Sequence, residues 1–307
     1  MQQLWVEEDV LSPIKPQQAC QTDDHETILR FAAAALDAQC AAVLVTLVEI
    51  RGGAARALGA QMVVRGDGYY CGYVSGGCVE AAAAYEALEV MACGKDRSVA
   101  YGEGSPYLDI VLPCGGGITL AFHRLRQSAP LHHILERLAQ RKAAALRYLP
   151  QFQRLDNVDI PQATGWDEDA FITCYQPKTR VVVYGRSVEA LATASIAQAA
   201  GYELLTGDDS QAQAVDEFTA VILLYHDLQR ELPVLLAALR SRPFYIGALG
   251  SRRTHATRVE KLVSLGFTEA EIARIKAPIG IFAQARDARS LALSIVADVA
   301  AARLKVV

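Results

Sequence analysis

Apolar positions along the chain repeat with two different rhythms, and the rhythm changes near residue 178. In the first part, Ile28, Leu29, Ala32 and Leu36 recur at helical spacing behind Asp24, a good capping side chain, which predicts a helix over residues 25–39. Residues 40–50 are a continuous β-branched apolar run, as expected of a buried strand. Two further runs, 61–64 and 69–74, flank Arg65-Gly66-Asp67-Gly68 and predict a hairpin. An alanine-rich helix ending near Gly94 follows, then strands over 108–112 and 118–122 and a helix over 130–145.

From residue 178 strand and helix patterns alternate. A strand is expected over 180–184, a helix over 188–200 stopped by Gly201, and a strand over 202–205. Strands 220–224 and 244–246 alternate with helices 231–240 and 251–265, and a final amphipathic helix covers 287–304. The fold class expected is α/β: a mixed α+β domain followed by a Rossmann-like, doubly wound parallel sheet. Residues 1–24, with Pro13, Pro16 and several Gln, are expected as an irregular arm, 25–123 as the first domain, 124–177 as a linking bridge and 178–307 as the second domain.

Composition narrows the function classes. With 52% hydrophobic and 21% charged residues the 307-residue chain is a soluble globular type. No apolar run approaches the roughly 20 residues of a membrane span, and the first residues carry acids where a signal peptide has lysines. A net charge of −4 argues against a nucleic-acid partner. Seven cysteines, none in a C-x-x-C pair, point to reduced thiols in a cytoplasmic protein.

Candidate chemistry sits where glycines separate a strand from a helix, because such turns leave backbone N–H groups available to anions. Ser75-Gly76-Gly77-Cys78 precedes the alanine-rich helix, and Cys78 is expected in its first turn, where the helix dipole favours thiolate. Cys114-Gly115-Gly116 repeats the pairing of thiol and glycines; if the sheet brings both turns to one end, they share a pocket. Gly247 and Gly250 lead into Ser251, Arg252 and Arg253, two arginines at a helix start that prefers acids, so an anion over that turn is expected. Gly185-Arg186-Ser187 occupies the place of a dinucleotide-binding loop, but Ser187 stands where the second glycine lets a pyrophosphate approach, which argues against NAD(P). His226 ends a strand at the edge where open α/β sheets bind ligands.

Taken together, YIGALGSRRTHATRVEKL, GFTEAEIARIKAPIGI and ALSIVADVAAAR, with GAQMVVRGDG, GYVSGGCVEAA and PCGGG earlier in the chain, resemble the XdhC/CoxI family of xanthine dehydrogenase accessory factors. The resemblance implies a cytoplasmic chaperone, not an enzyme. Such a protein binds the molybdenum cofactor, as plain molybdopterin or its dinucleotide form, and protects it during sulfuration by a cysteine desulfurase. It then inserts the cofactor into a xanthine-dehydrogenase-type molybdenum hydroxylase, and is expected to be a homodimer. It carries cofactor binding onto Ser75, Gly76, Gly77, Cys78, Cys114, Gly115, Gly116, Gly247, Gly250, Ser251, Arg252 and Arg253, with the loop Gly185, Arg186 and Ser187 as a divergent counterpart. Cys78 and Cys114 are candidate transient ligands of the metal. The alternative is an NAD(P)-dependent oxidoreductase on the second domain; a nucleotidyl-transfer role using Asp208 and Asp209 is a third.

Overall fold

A computed structural model describes residues 14–103, 105, 115–158, 163–207, 215–282 and 285–305. The chain divides into two compact units, Met1–Gln176 and Pro177–Val307.

The first unit is built on a six-stranded sheet. Its strands are β1 (Gln17–Cys20), β2 (Ala42–Arg51), β3 (Gln61–Arg65), β4 (Tyr69–Gly72), β5 (Arg97–Gly102) and β6 (Gly117–Arg124), in the order β1-β4-β3-β2-β6-β5. All neighbours are antiparallel except β1 and β4. Because side chains alternate across a strand, β2 serves two cores. Ala42, Leu44 and Val48 join α1 (His25–Asp37) and α3 (Ala129–Ala139) on one face. Val43, Val45 and Leu47 meet α2 (Glu80–Cys93) on the other. The expected cap holds: Asp24 accepts a bond from the Thr27 N–H at 3.0 Å.

Three expectations change here. The arm is not irregular throughout, since β1 pairs with β4 and places Cys20 opposite Cys71 with Cα atoms 5.1 Å apart. That pairing joins the two as a disulfide, so the expectation of reduced thiols fails at this pair; Cys40, Cys78, Cys93 and Cys174 form no disulfide among the described residues. Residues 124–177 are no bridge either. They contain α3 and a four-stranded antiparallel sheet, β8-β7-β10-β9, of β7 (Ala144–Leu149), β8 (Arg154–Val158), β9 (Gly165–Asp167) and β10 (Ala170–Tyr175). Polar residues disguise this sheet, because only Leu146, Tyr148, Leu155, Phe171 and Tyr175 among its side chains join the α1 core, along with Ala144. Buried Asp96 fastens the two sheets, accepting from Tyr148 Oη at 3.1 Å and the Arg124 N–H at 3.0 Å, with His123 Nδ1 at 2.5 Å. Trp166 donates to the Val48 carbonyl at 3.0 Å, where a register shift between Leu47 and Glu49 leaves that residue without a partner on β6. The strand expected over 108–112 lies outside the described residues.

The second unit is the expected parallel sheet. Its strands β11 (Arg180–Tyr184), β12 (Glu203–Gly207), β13 (Thr219–Leu223), β14 (Tyr245–Ala248) and β15 (Ile275–Lys276) run in the order β12-β11-β13-β14-β15, all parallel. Helices α4 (Val188–Ala199) and α8 (Ala288–Arg303) share one face, while α5 (Leu228–Arg240) and α6 (Arg252–Ser264) cover the other. The short α7 (Glu269–Ile272) starts with a capping box between Thr268 and Glu271.

Candidate functional site

In the first unit, antiparallel pairing sends the end of β2, the start of β3, the end of β4 and the start of β6 to the same edge of the sheet. The loops that carry Gly52–Ala60, Tyr73–Val79 and Gly115-Gly116 therefore gather there. Gly116 makes the approach possible: a Cβ on it would lie 2.2 Å from the Gly53 carbonyl oxygen and 2.6 Å from that of Arg51. A methyl on Gly76 would touch the Ala55 side chain at 3.4 Å. Ser75, Gly76, Gly77 and Cys78 thus share one end with Gly115 and Gly116, through the 52–56 turn. Cys114 lies outside the described residues.

The Ser75–Cys78 turn does not offer its N–H groups to a ligand as expected. Glu80, 3% exposed, folds back into it. Its Oε1 accepts from Val74 N–H (3.0 Å) and Ser75 N–H (2.7 Å). Its Oε2 accepts from Ser75 Oγ (2.7 Å), Gly77 N–H (2.9 Å) and Val79 N–H (3.2 Å). Ser75 Oγ in turn accepts from the Cys78 N–H at 3.2 Å. The nest is filled by the chain's own carboxylate, which makes the turn a rigid mount. Cys78 is exposed and precedes the helix cap Val79, so it sits just before α2 instead of in its first turn. Among the described residues no three His, Cys, Asp or Glu side chains gather to hold a metal ion.

In the second unit the loops after β11, β13, β14 and β15 lie at the carboxyl edge of the parallel sheet, where such sheets bind ligands. Gly185 is required there: at φ +137° it passes so close to Leu224 that a Cβ would stand 2.6 Å from its carbonyl oxygen. Ser187 caps α4 by accepting from the Ala190 N–H. Its hydroxyl also bonds Glu189, which with nearby His226 holds that carboxyl below the usual range. His226 itself is exposed, 3.9 Å from Glu189. A helix start that carries an acid, Glu189, in its first turn is poorly suited to a pyrophosphate. Arg186 is exposed beside it. Asp208 and Asp209 lie outside the described residues.

The turn after β14 is different. Ser251 caps α6 by accepting from the Thr254 N–H at 3.2 Å. Arg252 and Arg253 are exposed, and no acid among the described residues pairs with either. Arg258, five residues after Arg253, is buried (1% exposed) against Glu231, also 1% exposed. Two bonds of 2.5 and 2.9 Å join them, and Arg258 Nη2 also holds the Leu249 carbonyl at 2.9 Å. The turn Leu249-Gly250-Ser251 is thereby fixed to α5 and α6. Burial, then the Arg258 charge, keeps His255 below its ordinary pKa. Across the sheet, Asp298 accepts from Tyr245 Oη (2.7 Å) and Lys276 Nζ (2.5 Å), and Ser294 Oγ accepts from the N–H groups of Ile281 and Phe282 (2.8 and 2.7 Å). These bonds set the loop after β15.

Sequence reasoning missed Glu80, Glu231, Arg258 and Asp298. Glu80 had a signal, an acid five residues after Ser75 at a helix start. The buried charge pair had little, since only Arg258 and Leu262 of α6 are buried.

Comparison with known proteins agrees with this architecture. A model of the XdhC and CoxI family matches residues 35–102, and a model described as the XdhC Rossmann domain matches 181–299. The molybdenum cofactor insertion chaperone PaoD of Escherichia coli is 60% identical over 293 residues, covering 94% of this chain and 92% of its own. The uncharacterized protein YqeB of Escherichia coli is 26% identical over 277 residues, 87% of this chain but 44% of its own length. A crystal structure from Bacillus halodurans, described as a xanthine dehydrogenase, superposes with a TM-score of 0.70 at 19% identity, covering 93% of this chain and 96% of that one, which is a likeness of fold. The chain belongs to the XdhC and CoxI family.

Proposed function

We propose that this protein is an accessory chaperone, not an enzyme, that binds the molybdenum cofactor and inserts it into a molybdenum hydroxylase of the xanthine dehydrogenase type. The observation that carries the reading is the 60% identity, along nearly the whole chain, to a molybdenum cofactor insertion chaperone. The site chemistry suits that cargo. Arg252 and Arg253 have no internal counter-charge among the described residues and stand at the capped start of α6, a setting for the phosphate of a pterin cofactor. Gly247, Gly250 and Ser251 shape that turn. Gly185, Arg186 and Ser187 are a secondary contact, and their geometry supports no dinucleotide-dependent oxidoreductase.

In the first unit, taken by itself, Ser75, Gly76, Gly77, Gly115 and Gly116 shape the glycine-rich end that we assign to cofactor binding. Cys78, with Cys114, would supply thiols near the metal or pass sulfur during sulfuration by a cysteine desulfurase. Whether the cargo is plain molybdopterin or its dinucleotide form belongs to the same proposal, as do a cytoplasmic site of action and a homodimer. Among the described residues no helix is long and apolar enough to cross a membrane.

The test is cofactor retention. Purified protein is mixed with freshly released molybdenum cofactor and desalted, and molybdenum and oxidised pterin are measured in the protein fraction. Near-stoichiometric retention, lost on Arg252→Ala with Arg253→Ala, supports the reading. Retention no greater than that of an unrelated protein rejects it.

A further inference from the structure

Beside the glycine turns of the first unit lies a small polar cavity of about 190 Å³, lined by Asp23, His25, Arg56, Gln61 and Tyr73, among others. No part of the cofactor chemistry described so far uses it. Its walls come from five places in the chain: the arm, the start of α1, the loop after β2, the start of β3 and the residue following β4. The Cys20–Cys71 disulfide fixes their spacing, because Asp23 follows Cys20 by three residues and Tyr73 follows Cys71 by two.

The cavity holds unspent hydrogen-bonding capacity. His25 Nδ1 is buried with no hydrogen-bond partner among the described residues, an arrangement that costs free energy. Gln61, 2% exposed, accepts from Tyr175 Oη (2.8 Å) and donates to Thr46 Oγ1 (3.2 Å), which leaves one of its two amide hydrogens. Arg56 spends Nη1 on Asp23 Oδ2 at 2.6 Å and lies 5.6 Å from the centre of the Tyr73 ring. Asp23, whose side chain is 69% exposed, makes no hydrogen bond through Oδ1 among the described residues. The set therefore offers a carboxylate, a guanidinium, an amide N–H and an aromatic wall. Burial, only partly opposed by Asp24 and Asp23, lowers the His25 pKa, so its ring is a neutral donor or acceptor.

We propose that this cavity receives a 2-amino-4-oxopyrimidine edge, the flat face shared by a pterin and a guanine. The adjacent ring N–H and exocyclic amine of that edge match the Asp23 carboxylate. Its carbonyl oxygen and ring nitrogens match Arg56 and Gln61, and its face lies along Tyr73. The volume is below that of drug-sized pockets, about 300–1,000 Å³, so one ring system enters and the rest of a larger molecule stays outside. The Ser75–Cys78 turn begins two residues after Tyr73 in the chain. The inference rests on the reading of the chain as a carrier of a pterin cofactor, and it names where the ring would sit.

The experiment measures binding of 6-hydroxymethylpterin, by its fluorescence, and of guanosine monophosphate, by equilibrium dialysis, to the full chain. Cytidine and adenosine monophosphates, which lack the adjacent N–H pair, serve as controls. Saturable binding of the pterin that Asp23→Asn and Tyr73→Ala each weaken at least about tenfold, with both variants melting as the wild type does, supports the pterin. The same pattern for guanosine monophosphate alone supports the edge chemistry with guanine as its source. Binding of neither, equal binding of the controls, or binding untouched by Asp23→Asn overturns the proposal. If the cofactor is retained by the wild type but neither ring binds, this proposal fails alone. If a ring binds through Asp23 while the cofactor is not retained, the site stands and the chaperone reading fails.

Discussion

Ser75 and Glu80 lock to each other through two hydrogen bonds of 2.7 Å, one from the serine N–H to Oε1 and one from its hydroxyl to Oε2. The carboxylate also takes the N–H groups of Val74, Gly77 and Val79. Glu80→Ala strands these buried donors at about 1–3 kcal/mol each before water relaxes the site. The expected loss is about 3 kcal/mol or more in urea unfolding, with Glu80→Gln losing less. A change under about 1 kcal/mol for the alanine variant would remove Glu80 from its role as the mount of the turn.

Arg258 and Glu231 are a second buried pair, in the other unit. Removing one charge leaves the other uncompensated, at about 3–5 kcal/mol. Arg258→Met should therefore destabilise strongly, and Arg258→Met with Glu231→Leu should recover much of the loss. If the double variant is no more stable than the single one, the pair is not what holds the Leu249–Ser251 turn.

The Cys20–Cys71 disulfide closes a loop with a sequence separation of 51. Chain entropy gives such a link about 2–4 kcal/mol. Dithiothreitol should lower the unfolding midpoint of the wild type and leave that of Cys20→Ser unchanged. Equal midpoints with and without reductant would mean the bond does not form in solution.

His25 gives a pH signature. Its folded-state pKa is lowered, mainly by burial, so below about pH 6.5 the unfolded chain binds more protons than the folded one. The stability it contributes is present above that value and is lost as pH falls. His25→Phe, which keeps the edge-to-face packing on Tyr175, should flatten this slope between pH 7 and 5. Parallel slopes for variant and wild type would exclude His25 as the source.

Cys78 is exposed just ahead of α2. Cys78→Ala should leave the unfolding midpoint unchanged and weaken cofactor retention. Full retention by the variant would dismiss any thiol contribution from this position.

How much of this was visible in the chain depends on how local each feature is. The Asp24 cap, the hairpin around Gly66 and Gly68, the strand-helix alternation from Arg180 and the Ser251 cap all arise within a few residues, and the sequence carries them. The motifs around SGGC and GSRR carried the family as well. The 144–175 sheet was hidden because Asp156, Asn157 and Asp167 break the alternation that marks a strand, and partners on α1 stabilise it.

By itself the sequence determined a two-part α/β chain of the XdhC and CoxI family, with glycine turns at the starts of its key helices. Tertiary structure alone decided what those turns do. A carboxylate five residues away fills the Ser75–Cys78 nest, an arginine bound to a distant helix fixes the Gly250 turn, and an arm strand bonds Cys20 to Cys71. The Glu80 contact is local and had a signal in the chain, but the Arg258–Glu231 pair and the Cys20–Cys71 bond depend on residues brought together by packing, which no local pattern encodes.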